Sequence, residues 1–123
     1  MLCLMIAGFD IDPAQITDIL AITPSFTGRK GDALPSSHLR RKSIWRVDLE
    51  WDASMTSGKR HHELLEDLLS LCDGKQPNFA KLRAEVNPQT VSIYDGLHLL
   101  KDHVKGVWLT AEQMRVLADC GIE

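Results

Sequence analysis

The chain has 123 residues, 44% of them apolar and 25% charged, with a formal net charge of −3. That size and balance fit one globular domain, residues 1–123, with a single core, and they exclude a disordered or fibrous chain. The charge is uneven: residues 28–46 hold Arg29, Lys30, Arg40, Arg41, Lys42 and Arg46 against Asp32 alone, a local +5, while the remainder has 8 cations and 16 carboxylates.

The opening stretch MLCLMIAGFD is apolar but shorter than the roughly 20 residues of a membrane span. It has no basic leader and no small-residue cleavage site, so neither a signal peptide nor a membrane partner is expected. Its run from Leu2 to Ala7, closed by Gly8, predicts a buried strand. In DIDPAQITDILAITP, Asp12 is placed to cap a helix, Pro13 suits the first helical position, and Gln15 completes a capping box. Ile16, Ile19 and Leu20 form its apolar stripe, and Pro24 stops the helix near Ile22.

Residues 23–43, TPSFTGRKGDALPSSHLRRKS, show no apolar period and read as a long basic loop. Next, SIWRVDLEW alternates, with Trp45, Val47, Leu49 and Trp51 on one face and Ile44, Arg46, Asp48 and Glu50 on the other. That pattern predicts a half-buried strand of an antiparallel or mixed sheet. A second helix is predicted over 59–72, striped by His61, Leu64, Leu65, Leu68 and Cys72 and stopped at Gly74. A short third helix carries Phe79 and Leu82 and ends before Pro88. TVSIYDGLHLLK reads as a hairpin turning at Asp95-Gly96. The last helix is capped by Thr110 with Gln113 as its partner, presents Met114, Leu117 and Ala118 as its apolar face, and ends at Gly121 with apolar Ile122 beyond, in the pattern of a Schellman stop.

The order β-α-β-α-α-β-β-α predicts an α+β fold: one sheet of about four strands with helices mainly on one face, a ferredoxin-like arrangement being one candidate. Cys3, Cys72 and Cys120 are scattered and odd in number, and no C-x-x-C is present, which points to a reducing, cytoplasmic setting and to no disulfide framework.

The opening strand, DIDPAQITDILAITPS, GRKGD, the basic run leading to Trp51 and the closing WLTAEQMRVLADCGI together resemble the bacterial family known as domain of unknown function 4279. The resemblance covers most of the chain and is best over residues 6–51, through Asp12, Pro13, Ile16, Pro24, Gly31 and Trp51. It implies a further strand after the last helix, whereas the sequence given ends at Glu123; pairing of a sheet edge across a homodimer is therefore one expectation. It implies no activity, catalytic residue or cofactor.

The residues themselves suggest little catalysis. There is no G-x-S-x-G, Walker loop, G-x-G-x-x-G or H-E-x-x-H. GRKGD has glycines beside cations and amides that could cradle an anion, but it follows a helix and lacks the lysine-serine or lysine-threonine of a phosphate loop. His61 and His62 diverge by about 100° on a helix and cannot readily chelate together. His62 and Glu66 share a face but make only two ligands, so His98 and His103 would have to converge on them. No thiol has a local base. No metal and no cofactor are expected, and an enzyme of unrecognised type is the least favoured reading.

The expected function is a non-enzymatic protein-binding module, with an inhibitory or immunity-like protein as one class. Its candidate binding residues are Arg29, Lys30, Gly31, Arg40, Arg41, Lys42 and Arg46, with Trp51 and Trp108 as an apolar patch, and its partner an acidic protein. Nucleic acid or another anionic ligand on the same loop is the alternative; the acidic remainder and the scarcity of stacking aromatics count against it.

Overall fold

A computed structural model describes residues 2–49, 57–95 and 111–122. Eight elements follow in order: β1 (Leu2–Ala7), α1 (Pro13–Leu20), β2 (Phe26–Gly28), β3 (Ile44–Leu49), α2 (Ser57–Cys72), α3 (Gln76–Glu85), β4 (Thr90–Asp95) and α4 (Ala111–Cys120). The fold is α+β, with one antiparallel sheet of four strands ordered β2-β3-β1-β4. Each crossover returns its strand beyond an antiparallel neighbour, which is the ferredoxin-like connectivity, here with two helices in the second crossover and a fourth appended.

Alternation sorts the sheet. Leu4 sits between Val47 and Ile93, and Ile6 between Trp45 and Val91, so one side is apolar and carries the helices. The other side aligns Met5 with Arg46 and Ser92, and Phe26 with Arg46. From the helical layer Ile16, Leu20, Leu64, Leu68, Phe79 and Leu82 complete the core, each nearly or fully removed from solvent. Trp45 is fully buried, and its indole N–H donates to Thr17 Oγ1 at 3.1 Å, tying β3 to α1.

Local signals explain the helix ends. Ala14 N–H donates to Asp12 Oδ1 at 3.0 Å, the expected N-cap. Helix α1 stops at Ala21 in left-handed conformation, φ 53°, a residue before the expected Ile22. Its freed carbonyls accept from α3 and its N-cap residue: Lys75 Nζ reaches Leu20 O at 2.9 Å and Asn78 Nδ2 reaches Ile19 O at 2.8 Å. The cation also suits the negative end of the helix dipole. At the end of α4, Gly121 N–H donates to Ala118 O and Ile122 N–H to Leu117 O, which completes the expected Schellman stop.

Two sequence expectations need correction. The buried face of α4 is Gln113 and Cys120 with Val116 and Leu117 half-buried, whereas Met114 and Ala118 face solvent. The helix is turned by one position because the Gln113 side-chain amide donates to Glu66 Oε1 on α2, which makes a polar residue the inward one. The span 23–43 is also more ordered than a plain loop. It contains β2 and a bridge between Ala33 and Leu39. The turn around Asp95-Gly96 lies partly outside the described residues, as do Trp51, Trp108, Thr110, His98, His103 and the side chains of His61 and His62.

Candidate functional site

Between β2 and β3 the chain makes a folded excursion, residues 29–43, that carries Arg29, Lys30, Arg40, Arg41 and Lys42. It is built as a small antiparallel ribbon. Gly31 N–H donates to Arg40 O and Arg40 N–H to Asp32 O, both at 2.8 Å. Farther out Leu34 N–H donates to His38 O at 2.8 Å, and Ser37 N–H to Leu34 O at 3.0 Å closes the tip. The reversal needs positive φ at Ser37 and at Gly31, where φ is 94°.

The base of the ribbon is fixed by side chains. The Phe26 ring on β2 lies beneath two guanidinium groups, Arg46 at 4.7 Å and Arg40 at 5.2 Å from its centroid. Such cation–π contacts contribute about 0.5–2 kcal/mol each, more as they lose water. Arg40 passes over Gly28 so closely that an added Cβ would stand 2.6 Å from its Nε, which is why a glycine occupies that strand position. Arg46 Nε is also 3.0 Å from Asp48 Oδ1. On the other side Arg29 Nη2 meets Asp12 Oδ2 at 2.6 Å, joining the excursion to the N-terminus of α1 beside a small cleft of about 230 Å³.

The predicted cations therefore divide. Arg29, Arg40 and Arg46 hold the excursion to the body of the protein, while Arg41 and Lys42 are exposed and form no ion pair among the described residues. Lys30 is exposed; its backbone N–H donates to Ser43 Oγ at 2.9 Å.

In GRKGD the amides of residues 29–32 are all engaged within the protein. Arg29 N–H donates to Asp32 Oδ2 at 2.7 Å, Lys30 N–H to Ser43 and Gly31 N–H to Arg40, while Asp32 N–H donates back to Arg29 O. A cradle for phosphate needs such donors unpaired, and this turn spends them on its own closure.

Along the ribbon runs a cleft of about 710 Å³, bordered by Leu34, His38, Leu39, Arg40, Arg41 and Lys42. Leu39 is 63% exposed there, the most open large hydrophobic among the described residues. An exposed leucine framed by cations is a surface for an acidic segment bearing an apolar side chain. Phe26, at its base, already carries two guanidinium groups.

Sequence reasoning did not single out Leu39 or give Phe26 its part. The signal for Phe26 lay in the alternation of Phe26, Thr27 and Gly28, a short strand pattern. No sequence signal marks Leu39 as exposed.

Chemistry elsewhere is sparse. Among the described residues no group of three or more His, Cys, Asp or Glu side chains could hold a metal ion. All three cysteines are reduced and buried. Burial, with Cys120 nearby, pushes the Cys72 thiol from 9.0 up to about 12, and burial raises Cys120 as well. A thiol held protonated in this way is a poor nucleophile. Among the described residues no helix is long and apolar enough to cross a membrane.

The model of a family described as a domain of unknown function, DUF4279, matches residues 1–123. The chain belongs to this family. No curated protein and no solved structure matches it. Membership of DUF4279 assigns the whole length to one recurring unit and leaves its chemistry to be argued from the surface just described.

Proposed function

We propose that this DUF4279 domain is a non-enzymatic protein-binding module of the cytoplasm. Its recognition surface is the ribbon of residues 29–43, and its partner surface is acidic. The observation that supports the reading most is the coincidence of exposed Leu39 with unpaired Arg41 and Lys42 on a ribbon already closed by its own hydrogen bonds. A pre-folded surface loses little freedom on binding, and its charge speeds encounter with a partner of opposite sign.

Recovery of the tagged chain from its native cells, in the presence of nuclease, tests the reading when run beside the variant R41Q/K42Q. One stoichiometric protein held by the wild type and lost by the variant is the expected result. Equal recovery by both overturns it. Arg40 is left in place because it packs on Phe26, and removing it would confuse binding with folding. Nucleic acid on the same cations is the second reading, favoured only by their number; it predicts loss of recovered material on nuclease treatment and a steep fall of affinity with salt.

A further inference from the structure

We infer that the acidic surface met by the ribbon is a groove on a second copy of this chain, between its α2 and α4. The inference rests on reading the ribbon as a protein-binding surface, and it names the occupant.

The groove measures about 250 Å³ and is lined by Glu66, Asp73, Glu112 and Asp119, with Arg115 its one cation. Glu66 accepts from Gln113, and Glu112 lies 3.7 Å from Arg115. Asp73 and Asp119 are exposed and form no ion pair among the described residues. On the ribbon Lys30, Arg41 and Lys42, of opposite sign, are exposed and form no ion pair among the described residues.

The apolar component matches too. On the ribbon Leu39 is the most exposed large hydrophobic among the described residues, at 63%. In the groove, Leu69 of α2 and Val116 of α4 stand beside the carboxylates, whereas Met114 lies on the other side of α4. Each surface thus sets apolar side chains beside unpaired charge, and the charges are opposite.

The two surfaces belong to different elements, and no described hydrogen bond or ion pair joins them within one chain. Their complementarity can be met between copies. Because the two surfaces differ, the contact is head-to-tail and builds a ring or an open chain, unlike a symmetric dimer. Pairing through the β2 edge has less to build on, since that strand offers three residues.

Sedimentation velocity on the full chain tests this at rising concentration in low and high salt. Wild-type protein is expected to associate in low salt and to return towards monomer in high salt, where the ion pairs are screened. R41E/K42E and E112K/D119K, all at exposed positions, are each expected to be monomeric alone, with apparent dissociation constants raised at least about tenfold. Mixed in equal amounts they associate again, because the unaltered groove of one meets the unaltered ribbon of the other and the reversed ribbon meets the reversed groove. Circular dichroism confirms that both are folded, and the salt response of the wild type needs no variant at all. A wild type that stays monomeric throughout overturns the inference, as does a mixture that does not combine or an R41E/K42E variant that still associates. A monomeric chain that still recovers an R41/K42-dependent protein from cells rejects the second copy and keeps the binding reading; association lost in R41E/K42E but retained in E112K/D119K also rejects the groove.

Discussion

Thr17 and Trp45 show how much of this fold rests on single polar contacts inside an apolar layer. The indole N–H of fully buried Trp45 has Thr17 Oγ1 as its acceptor. Thr17→Val keeps the shape and removes the acceptor, so a buried donor is left unpaired at a cost of about 1–3 kcal/mol. Denaturant unfolding followed by tryptophan fluorescence checks this, and a change well under 1 kcal/mol would mean that water reaches the indole.

Cys72 supplies a second test at this scale. Its folded thiol ionises near 12, while an unfolded thiol ionises near 9.0, so above 9 the unfolded chain gives up a proton that the folded chain keeps. The contribution is complete below pH 9 and is lost progressively as pH rises towards 12. The unfolding midpoint is expected to fall across that window, and Cys72→Ala should flatten the slope. A parallel slope in the variant would assign the loss to other groups.

Helix ends and strand alternation were the parts most legible in the sequence, because their causes are local. Asp12 caps α1 through a contact two residues away, and Gly121 closes α4 through a left-handed backbone that glycine adopts readily. The alternation of Trp45, Val47 and Leu49 gave the face of β3 directly. What escaped the reading depended on distant partners. Gln113 turns α4 by bonding Glu66, 47 positions away in sequence, and Arg40 and Arg46 hold Phe26 only once β2 and β3 are paired. In the candidate site the cations were visible from charge alone, but their division into anchoring and unpaired groups was not, since that depends on Asp12, Asp48 and the Phe26 ring.

Gly121 and Gly74 give the element-scale prediction. Both have positive φ, 64° and 75°, but a side chain at Gly121 would collide with the Arg83 guanidinium, which donates to Cys120 O, whereas Gly74 has open space around it. Gly74→Ala should cost about 1 kcal/mol through the backbone alone. Gly121→Ala should cost more, because Arg83 has to move from the end of α4. Equal losses of stability would show that Arg83 yields freely.

The molecule as a whole has a net charge of −3 and a ferredoxin-like sheet, with one ribbon, residues 29–43, whose cations outnumber its carboxylates five to one. Neither the core nor the sheet requires that distribution: the exposed charges of Arg41 and Lys42 satisfy no partner within the described residues, and the ribbon could close its turns without them. Its shape, in contrast, is fixed internally, by the bridge between Ala33 and Leu39 and by the arginines over Phe26. The functional reading turns on that combination of free charge and fixed shape, for a surface already folded can recognise a partner without first being ordered.

Amide hydrogen exchange measured by NMR on the intact chain tests it most directly. Gly31, Leu34 and Arg40, whose N–H groups close the ribbon, are expected to exchange at least about tenfold more slowly than an unstructured chain. Unprotected rates at all three would contradict the account, because the cations would then ride on an open loop with no surface of its own.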